Sequence, residues 1–369
     1  MTVPMIDLQA QYRQIKPEID AAVAEVLASQ VFIGGPNVEA LEEAIAVYAG
    51  VKHAIAVASG TDALLLLLKA IGLQPGDEVI TTTFSFFATA GAIANAGATP
   101  VFVDVDSATY NIDPALIEAR ITPKTRAIVP VHLFGQCADM DAVMEIAARH
   151  GLYVIEDNAQ ALGATYKGRA AGALGHAAAI SFYPTKNLGG AGDGGMIVTR
   201  DNDLAAHVRL LRAHGSDAAY VHRIVGTNSR LDALQAAVLR VKLEHLDTWN
   251  ERRRANADYY SAAFGSMARV VPPTEHDANH HVYHQYVIRL PRRDQAVELL
   301  RGKGIGCAVF YPLPLHSQAC FAHLGYTASD CPQATRASRE VLALPIYPEL
   351  TREQQDQVLA VVHEHLAGA

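Results

Sequence analysis

Lys186 is the residue of this chain best placed to do chemistry. It lies in the glycine-rich loop Ser181-Phe-Tyr-Pro-Thr-Lys186-Asn-Leu-Gly-Gly-Ala-Gly-Asp-Gly-Gly195, between the apolar runs 177–182 and 195–199. A lysine amine held between two strands can form a Schiff base with an aldehyde cofactor when its site lowers its pKa. A solvent-facing loop lysine is the alternative, because most loop lysines are of that kind. The neighbouring motifs have to decide between the two.

The motif Ser59-Gly60-Thr61-Asp62 joins an apolar run to a leucine-rich helical stretch. Small residues let the backbone approach an anion, and a helix N-terminus offers free N–H groups and a positive dipole end. The motif can therefore hold a phosphate group. An ordinary helix N-cap by Ser59 or Thr61 explains the same residues.

A second motif, Glu156-Asp157-Asn158-Ala159-Gln160, follows the apolar run 152–155. A carboxylate at a strand end can pair with a pyridinium nitrogen, an attraction of about 4 kcal/mol at about 4 Å with an effective dielectric of about 20. That pairing keeps the ring protonated and makes it an electron sink. A helix cap by Asp157 or Asn158 is the alternative.

Aromatic and polar residues complete the candidate site. Phe84-Ser-Phe86-Phe87 follows another apolar run, where a ring can stack on a planar cofactor or simply pack in the core. Asn228-Ser-Arg230-Leu-Asp232 begins a long helical stretch and can either reach a phosphate, including one in a neighbouring subunit, or cap that helix.

An amine, a carboxylate, a ring stacker and an anion cradle are together what pyridoxal 5′-phosphate requires. The sequence contains no Walker loop, nucleophile elbow or zinc-ligand spacing that would favour another chemistry. The histidines His276, His280, His281 and His284 fit strand alternation as well as helical spacing, and no carboxylate pattern accompanies them. We therefore predict no metal site.

The elements that must position these residues alternate along the chain. Candidate strands cover residues 53–58, 78–82, 99–104, 126–131, 152–156, 177–182 and 195–199, and helices begin near 61, 89, 114 and 139. This alternation predicts an α/β fold with a large domain built on a mostly parallel sheet flanked by helices. Ligands bind beyond the carboxyl ends of such strands, where Ser59, Thr83, Asp157 and Lys186 fall.

The length of the chain indicates two domains. At 369 residues it exceeds what one core usually supports. A helical region over residues 229–264 predicts the hinge. We place the large cofactor-binding domain at residues 1–250 and a smaller C-terminal α+β domain at 251–369.

Composition excludes several classes of function. The net charge is −8, and the only tight basic cluster, Arg252-Arg253-Arg254, predicts a solvated helix face rather than a nucleic-acid site. The N-terminus lacks the pattern of a targeting signal, and no apolar run is long enough to span a membrane. Four scattered cysteines suit a reducing cytoplasm, so we expect a cytoplasmic protein.

These motifs resemble those of the DegT/DnrJ/EryC1/StrS family of nucleotide-sugar aminotransferases. The resemblance extends over nearly the whole chain. Besides the motifs around Ser59, Asp157 and Lys186, it covers the blocks 32–36, 131–136, 192–195, 228–235 and 344–350.

The resemblance implies the fold of aspartate aminotransferase and a homodimer with active sites at the subunit interface. It implies that Lys186 binds pyridoxal 5′-phosphate covalently, that Asp157 contacts the pyridine nitrogen and that Gln160 contacts the ring hydroxyl. Phe86 would stack on the ring. The residues implied for the phosphate are Gly60, Thr61 and Ser181 of one subunit, with Asn228 from the other.

The implied reaction transfers an amino group from an amino acid, L-glutamate, to a nucleotide-linked keto sugar. Its product is an amino-sugar nucleotide for polysaccharide or glycosylated metabolite synthesis. The blocks 135–140 and 181–195 look more like those of enzymes acting on 3-keto sugars than on 4-keto sugars. Tyr311, His316 and Arg230 are expected to contact the sugar or the donor carboxylate.

Three alternatives remain beside this expectation. One is a 4-keto sugar aminotransferase, and another is a sugar dehydratase that uses the same cofactor. Related dehydratases carry histidine where this chain has Lys186, which favours transamination. The third is a non-catalytic regulator that reuses the fold.

Overall fold

The computed structural model describes residues 2–368. Met1 and Ala369, the outer ends of the two predicted domains, lie outside the described residues. The helices are α1 (Leu8–Ser29), α2 (Pro36–Ala49), α3 (Gly60–Ala70), α4 (Ala88–Asn95), α5 (Met140–His150), α6 (Asn202–Leu211), α7 (Ala233–Leu243), α8 (Leu246–Phe264), α9 (Arg293–Gly302), α10 (Pro332–Glu340) and α11 (Arg352–Ala367). None of the described helices is both long and apolar enough to cross a membrane.

The strands are β1 (His53–Val57), β2 (Glu78–Thr82), β3 (Thr99–Val103), β4 (Thr125–Val129), β5 (Tyr153–Asp157), β6 (Thr165–Tyr166), β7 (Arg169–Ala170), β8 (Ala177–Ser181), β9 (Gly195–Thr199), β10 (Ser216–Ala218), β11 (Val221–His222), β12 (Asn279–His280), β13 (Tyr286–Arg289) and β14 (Val341–Leu344). Seven of them form one sheet in the order β1-β9-β8-β5-β4-β2-β3. Only β9 runs antiparallel to its neighbours. The predicted α/β fold with a mostly parallel sheet is confirmed.

Sequence explains why helix α3 begins where it does. The side chain of Ser59 caps the helix by accepting a hydrogen bond from the N–H of Asp62 at 3.1 Å. Leu64, Leu66 and Leu67 are buried against the sheet, so the leucine-rich run becomes the inner face of the helix. The cap and the apolar face together fix the N-terminus of α3 beside the end of β1.

A separate apolar cluster lies in the C-terminal part of the chain. It joins α8, the antiparallel pair β13 and β14, and α11 around Tyr260, Tyr286 and Val358. Val3 also packs into this cluster, because the N-terminal segment forms a bridge with Ile305. The division into domains 1–250 and 251–369 stays a prediction.

Two predictions of local secondary structure are wrong. The helix predicted from Pro114 is two short 3₁₀ helices, because the side chain of Asp113 caps a tight turn and Pro123 disfavours helical backbone at Thr122. The helical region 229–264 is two helices, and its first helix begins only at Ala233. The side chain of Ser229 instead bonds to Ala58 N and Asp62 Oδ2.

The arginine cluster in α8 is also not a uniformly solvated face. Arg253 is buried and donates hydrogen bonds to the carbonyl oxygens of Tyr283 and Ile346. Burial lowers the pKa of its guanidinium to about 10, while Glu349 opposes that change. Arg253 therefore ties α8 to the C-terminal core, which a charge count along the sequence does not reveal.

Candidate active site

A cavity of about 560 Å³ opens beyond the carboxyl ends of the parallel strands. Its lining follows the ends of β1, β2, β4, β5 and β8, as expected for sheets of this kind. The structure brings most of the predicted site residues together in its wall: Gly60, Thr61, Phe86, Asp157, Gln160, Ser181, Lys186 and Tyr311.

Lys186 is placed by a tight turn within the loop that joins β8 to β9. Its N–H donates to the carbonyl of Tyr183 at 2.8 Å, and the N–H of Gly190 donates to the carbonyl of Phe182 at 2.8 Å. Gly189 is required at this turn because a β-carbon there would collide with the backbone of Pro184. Burial lowers the pKa of the Lys186 amine to about 8, while the negative charge of Asp157 opposes the change.

This pKa predicts how the amine reacts with aromatic aldehydes. Only the neutral amine is nucleophilic, so the rate of Schiff-base formation at Lys186 should rise with pH until about 8 and then level off. Stopped-flow absorbance across pH 6 to 11 measures this rate, with Lys186→Ala as the blank. A rate that keeps rising to the ordinary lysine pKa would contradict the description of the site.

Asp157 ends β5 and is held from both sides. Its Oδ2 accepts a hydrogen bond from the hydroxyl of Thr89 at 2.7 Å, and its Oδ1 accepts from the N–H of Ala159 at 3.2 Å. Its backbone bonds to Pro130 and His132. No helix lies between residues 158 and 181 of the described chain, so the helix-cap interpretation of Asp157 does not hold. The carboxylate is instead a fixed negative charge in the cavity wall.

A buried hydrogen bond between His132 and Glu156 supports this strand end from behind. Glu156 and His132 are both fully buried, and the His132 Nε2 lies 2.8 Å from Glu156 Oε2. The Nδ1 of His132 accepts the N–H of Ala138 at 3.2 Å, so the proton of the neutral ring is on Nε2. The carboxylate of Glu156 also accepts the N–H groups of Gly172, Leu174 and Gly175 at 2.6–2.8 Å.

Loss of the Glu156 carboxylate should destabilise the sheet at the carboxyl end of β5. In Glu156→Ala, four donors that are buried or partly buried lose their acceptor, and we expect the free energy of unfolding to fall by about 3–5 kcal/mol. Urea denaturation measures the change. Glu145→Ala is the control, because Glu145 is exposed on α5 and pairs only with Arg149. Equal stability of the two variants would contradict the proposed support.

Gln160 forms hydrogen bonds with both Phe134 and Tyr311 beside the cavity. Its Oε1 accepts the N–H of Phe134 at 2.7 Å, which fixes the orientation of the amide. Its Nε2 donates to the hydroxyl of Tyr311 at 3.1 Å, and burial raises the pKa of Tyr311. The donor side of the Gln160 amide therefore faces the cavity.

Gly60, at the N-terminus of α3, lies close to Ser181 at the end of β8. A β-carbon on Gly60 would lie 2.6 Å from Cβ of Ser181, so only glycine allows the helix N-terminus to approach this strand end. The N-cap interpretation of Ser59 is correct, and it is compatible with an anion cradle. Helix N-terminus, glycine and two hydroxyl side chains thus meet at one end of the cavity.

The other predicted site residues are placed differently. Phe86 lines the cavity with 59% of its surface exposed, whereas Phe84 is core. His316 is buried, lies outside the cavity lining and has its Nδ1 2.5 Å from the hydroxyl of Thr83. Asn228 and Arg230 are exposed and also lie outside this lining.

The cavity also contains residues that sequence analysis did not assign. Tyr183, Asp193, His284 and Gln285 line it. The sequence suggests only metal binding as a role for His284, although the alternation of His284 with Val282 and Tyr286 also indicates a strand. The local sequence pattern does not indicate that the segment around His284 lies beside the Lys186 loop.

Two relatives match this chain over almost its whole length. The chain is 54% identical over 368 residues to the pleiotropic regulatory protein of Geobacillus stearothermophilus, covering 99% of this chain and 98% of that protein. It is 46% identical over 366 residues to the UDP-N-acetyl-3-dehydro-alpha-D-glucosamine 3-aminotransferase of Acidithiobacillus ferrooxidans, covering 99% and 98%.

Solved structures and the family profile extend this likeness. The crystal structure of S. venezuelae DesV, in complex with a ketimine intermediate, superposes with a TM-score of 0.96 at 45% identity and covers 98% of both chains. The profile of the DegT/DnrJ/EryC1/StrS aminotransferase family matches residues 13–363. The chain belongs to the DegT/DnrJ/EryC1/StrS aminotransferase family.

Proposed function

We propose that this chain binds pyridoxal 5′-phosphate through Lys186 and aminates a nucleotide-linked 3-keto sugar, with L-glutamate as the amino donor. Pyridoxal 5′-phosphate is a cofactor of the family. The observation that carries the proposal is a lysine with a pKa of about 8 that shares one cavity with the fixed carboxylate of Asp157.

The residues present fit this cofactor. Asp157 is positioned to hold a proton on a pyridine nitrogen, and the Gln160 amide presents a donor suited to a ring hydroxyl. The cradle of Gly60, Thr61 and Ser181 suits a phosphate, because a side chain at Gly60 would fill it. When bound, the cofactor supplies an electron sink for the carbon that gains or loses the amino group.

The protein's own groups then have separate tasks. The neutral amine of Lys186 would take the proton from the carbon that bears the donor's amino group and, as an ammonium, would release it to the cofactor carbon C4′. In the second half of the reaction the same amine would carry a proton from C4′ to the carbon of the keto sugar. Thr89 and the N–H of Ala159 keep both oxygens of Asp157 oriented during this transfer. Phe86 is placed to cover one face of a planar ring.

A homodimer with shared sites fits the exposed features of the chain. Lys186 is the only lysine or arginine in the described cavity lining, yet the cofactor phosphate and the nucleotide diphosphate both need counter-charges. Tyr220 and Val225, beside the β10–β11 hairpin, are 98% and 97% exposed, which suits a surface covered by a second copy. Asn228 and Arg230 follow this hairpin and are proposed to enter the partner's site.

The choice of a 3-keto sugar rests on the Acidithiobacillus relative, whose activity is named as a 3-aminotransferase. The test is to incubate the holoprotein and L-glutamate with UDP- and dTDP-linked 3-keto and 4-keto sugars. Mass spectrometry then detects amino-sugar nucleotides. Amination of the 3-keto sugars alone supports the proposal. Amination of only the 4-keto sugars, or loss of water in place of amination, would contradict it.

A regulatory role is the second candidate, because the Geobacillus relative is named as a pleiotropic regulatory protein. Colour separates the two functions. A catalytic protein should purify yellow with its cofactor and lose that colour when L-glutamate is added. A colourless protein without affinity for pyridoxal 5′-phosphate would favour the regulator.

A further inference from the structure

His284 lies in the cavity wall beside the Lys186 loop and has no role in the function proposed above. It is buried, and its Nδ1 lies 3.1 Å from the side-chain oxygen Oδ1 of Asn187, the residue that follows Lys186. The hydrogen bonds of Asn187 determine which nitrogen of His284 carries the proton.

The amide of Asn187 has one allowed orientation. Its Nδ2 lies 3.1 Å from the backbone carbonyl of Val282, which can only accept. The same Nδ2 donates to Oδ1 of Asn250 at 2.7 Å, and Asn250 in turn donates to the carbonyl of Leu162 at 3.2 Å. Oδ1 of Asn187 must therefore be the acceptor in the contact with His284.

His284 consequently carries its proton on Nδ1. A neutral imidazole with a proton on Nδ1 has an unprotonated Nε2, which is a hydrogen-bond acceptor. Burial and the positive charges of Lys186 and Arg253 lower the pKa of His284, which keeps the ring neutral. Within residues 2–368 the ring's hydrogen bond is the one at Nδ1, and the ring lines the cavity, so Nε2 is open to a donor there.

We propose that His284 is a positioning residue for Lys186, whose free amine donates a hydrogen bond to the Nε2 of His284. Both side chains line one cavity, and the relay that fixes the imidazole passes through the residue next to Lys186. The other charged groups in this lining are the carboxylates of Asp157 and Asp193. Asp157 accepts hydrogen bonds from Thr89 and Ala159 and acts on the amine through its charge, whereas Nε2 of His284 can accept a directed hydrogen bond.

This hydrogen bond gives the amine a defined direction when it is not attached to the cofactor. A free lysine side chain has many rotamers, and holding it in one reduces the entropic cost of each proton transfer. The role rests on the proposed function, in which Lys186 acts as a free amine. The proposed hydrogen bond does not require the cofactor, so it is tested in the cofactor-free protein, without turnover.

The first measurement determines the tautomer of His284 in the wild-type protein. Long-range ¹H–¹⁵N NMR of the cofactor-free protein reports which imidazole nitrogen is protonated, with His284→Gln used to assign the signal. The proposal expects a neutral His284 with its proton on Nδ1 between pH 6 and 9. A proton on Nε2, or an imidazolium in this range, would overturn the proposal.

The second measurement follows the pKa of the Lys186 amine through the pH dependence of its acetylation, read by peptide mass spectrometry. In His284→Leu the ammonium loses an acceptor, so the pKa should fall by about one pH unit. His284→Gln keeps a side-chain acceptor and should restore most of the difference. His281→Leu is the control, because His281 is also buried but lies outside this cavity lining.

The outcomes distinguish the two proposals. An unchanged Lys186 pKa in folded His284→Leu would overturn the positioning role, and so would equal changes in the Leu and Gln variants. Either result leaves the wild-type transfer assay, and hence the proposed function, unaffected. Conversely, wild-type protein that transfers no amino group would contradict the proposed function even if the hydrogen bond is present.

Discussion

Lys186→Ala should abolish amino-group transfer while leaving the protein folded. The proposed reaction uses this amine both to attach the cofactor and to carry the proton, and no other lysine or arginine lines the described cavity. Acid–base catalysis alone contributes about 10²–10⁴-fold, so we expect a loss of about 10⁴-fold or more in kcat. Transfer from L-glutamate to the sugar nucleotide measures this loss.

The fold should tolerate this substitution because Lys186 makes no side-chain hydrogen bond that helps to hold the turn. The turn is closed by backbone bonds to Tyr183 and Phe182, which alanine retains. Circular dichroism and thermal unfolding check the fold, and Lys124→Ala, an exposed lysine elsewhere, is the activity control. Near-normal transfer by Lys186→Ala would refute the assignment of the lysine.

Asp157→Asn should slow both halves of the reaction by about a thousandfold. The substitution keeps the size of the side chain but removes the charge that pairs with a protonated ring nitrogen. That attraction is about 4 kcal/mol at about 4 Å with an effective dielectric of about 20, which corresponds to roughly 10³ in rate.

The two halves can be measured separately by single-turnover absorbance, first with L-glutamate and then with the keto-sugar nucleotide. Both need the same electron sink, so both should slow to a similar degree. Asp141→Asn is the control, because this carboxylate is on the surface and pairs with Lys167 and Arg169. Slowing of only one half would contradict the role of Asp157.

The sheet could be predicted from the sequence because each of its strands is a short apolar run. All seven candidate strands are present, and each boundary differs from the prediction by at most two residues. The reversed direction of β9 could not be predicted by pattern, since a buried strand reads alike in either direction. The helix predicted after Pro114 is absent for a local reason, because the cap at Asp113 and the proline at position 123 favour tight turns.

The site was predictable where a motif carried its own chemistry. Lys186, Asp157 and Gly60 share a cavity because the carboxyl ends of parallel strands meet at one edge of the sheet. His284 and Tyr311 could not be placed in this way, because the C-terminal part of the chain reaches the cavity only through tertiary packing. The burial of Arg253 could not be predicted either, because its basic neighbours indicate an exposed helix face and Arg253 is nevertheless buried.

The covalent attachment of the cofactor to one amine is the central step of the proposed function. Borohydride reduction of the holoprotein, followed by proteolysis and peptide mass spectrometry, locates that attachment directly. We expect a single pyridoxyl adduct, and we expect it on Lys186. An adduct on another lysine, or reduced protein with no adduct at all, would contradict the central claim.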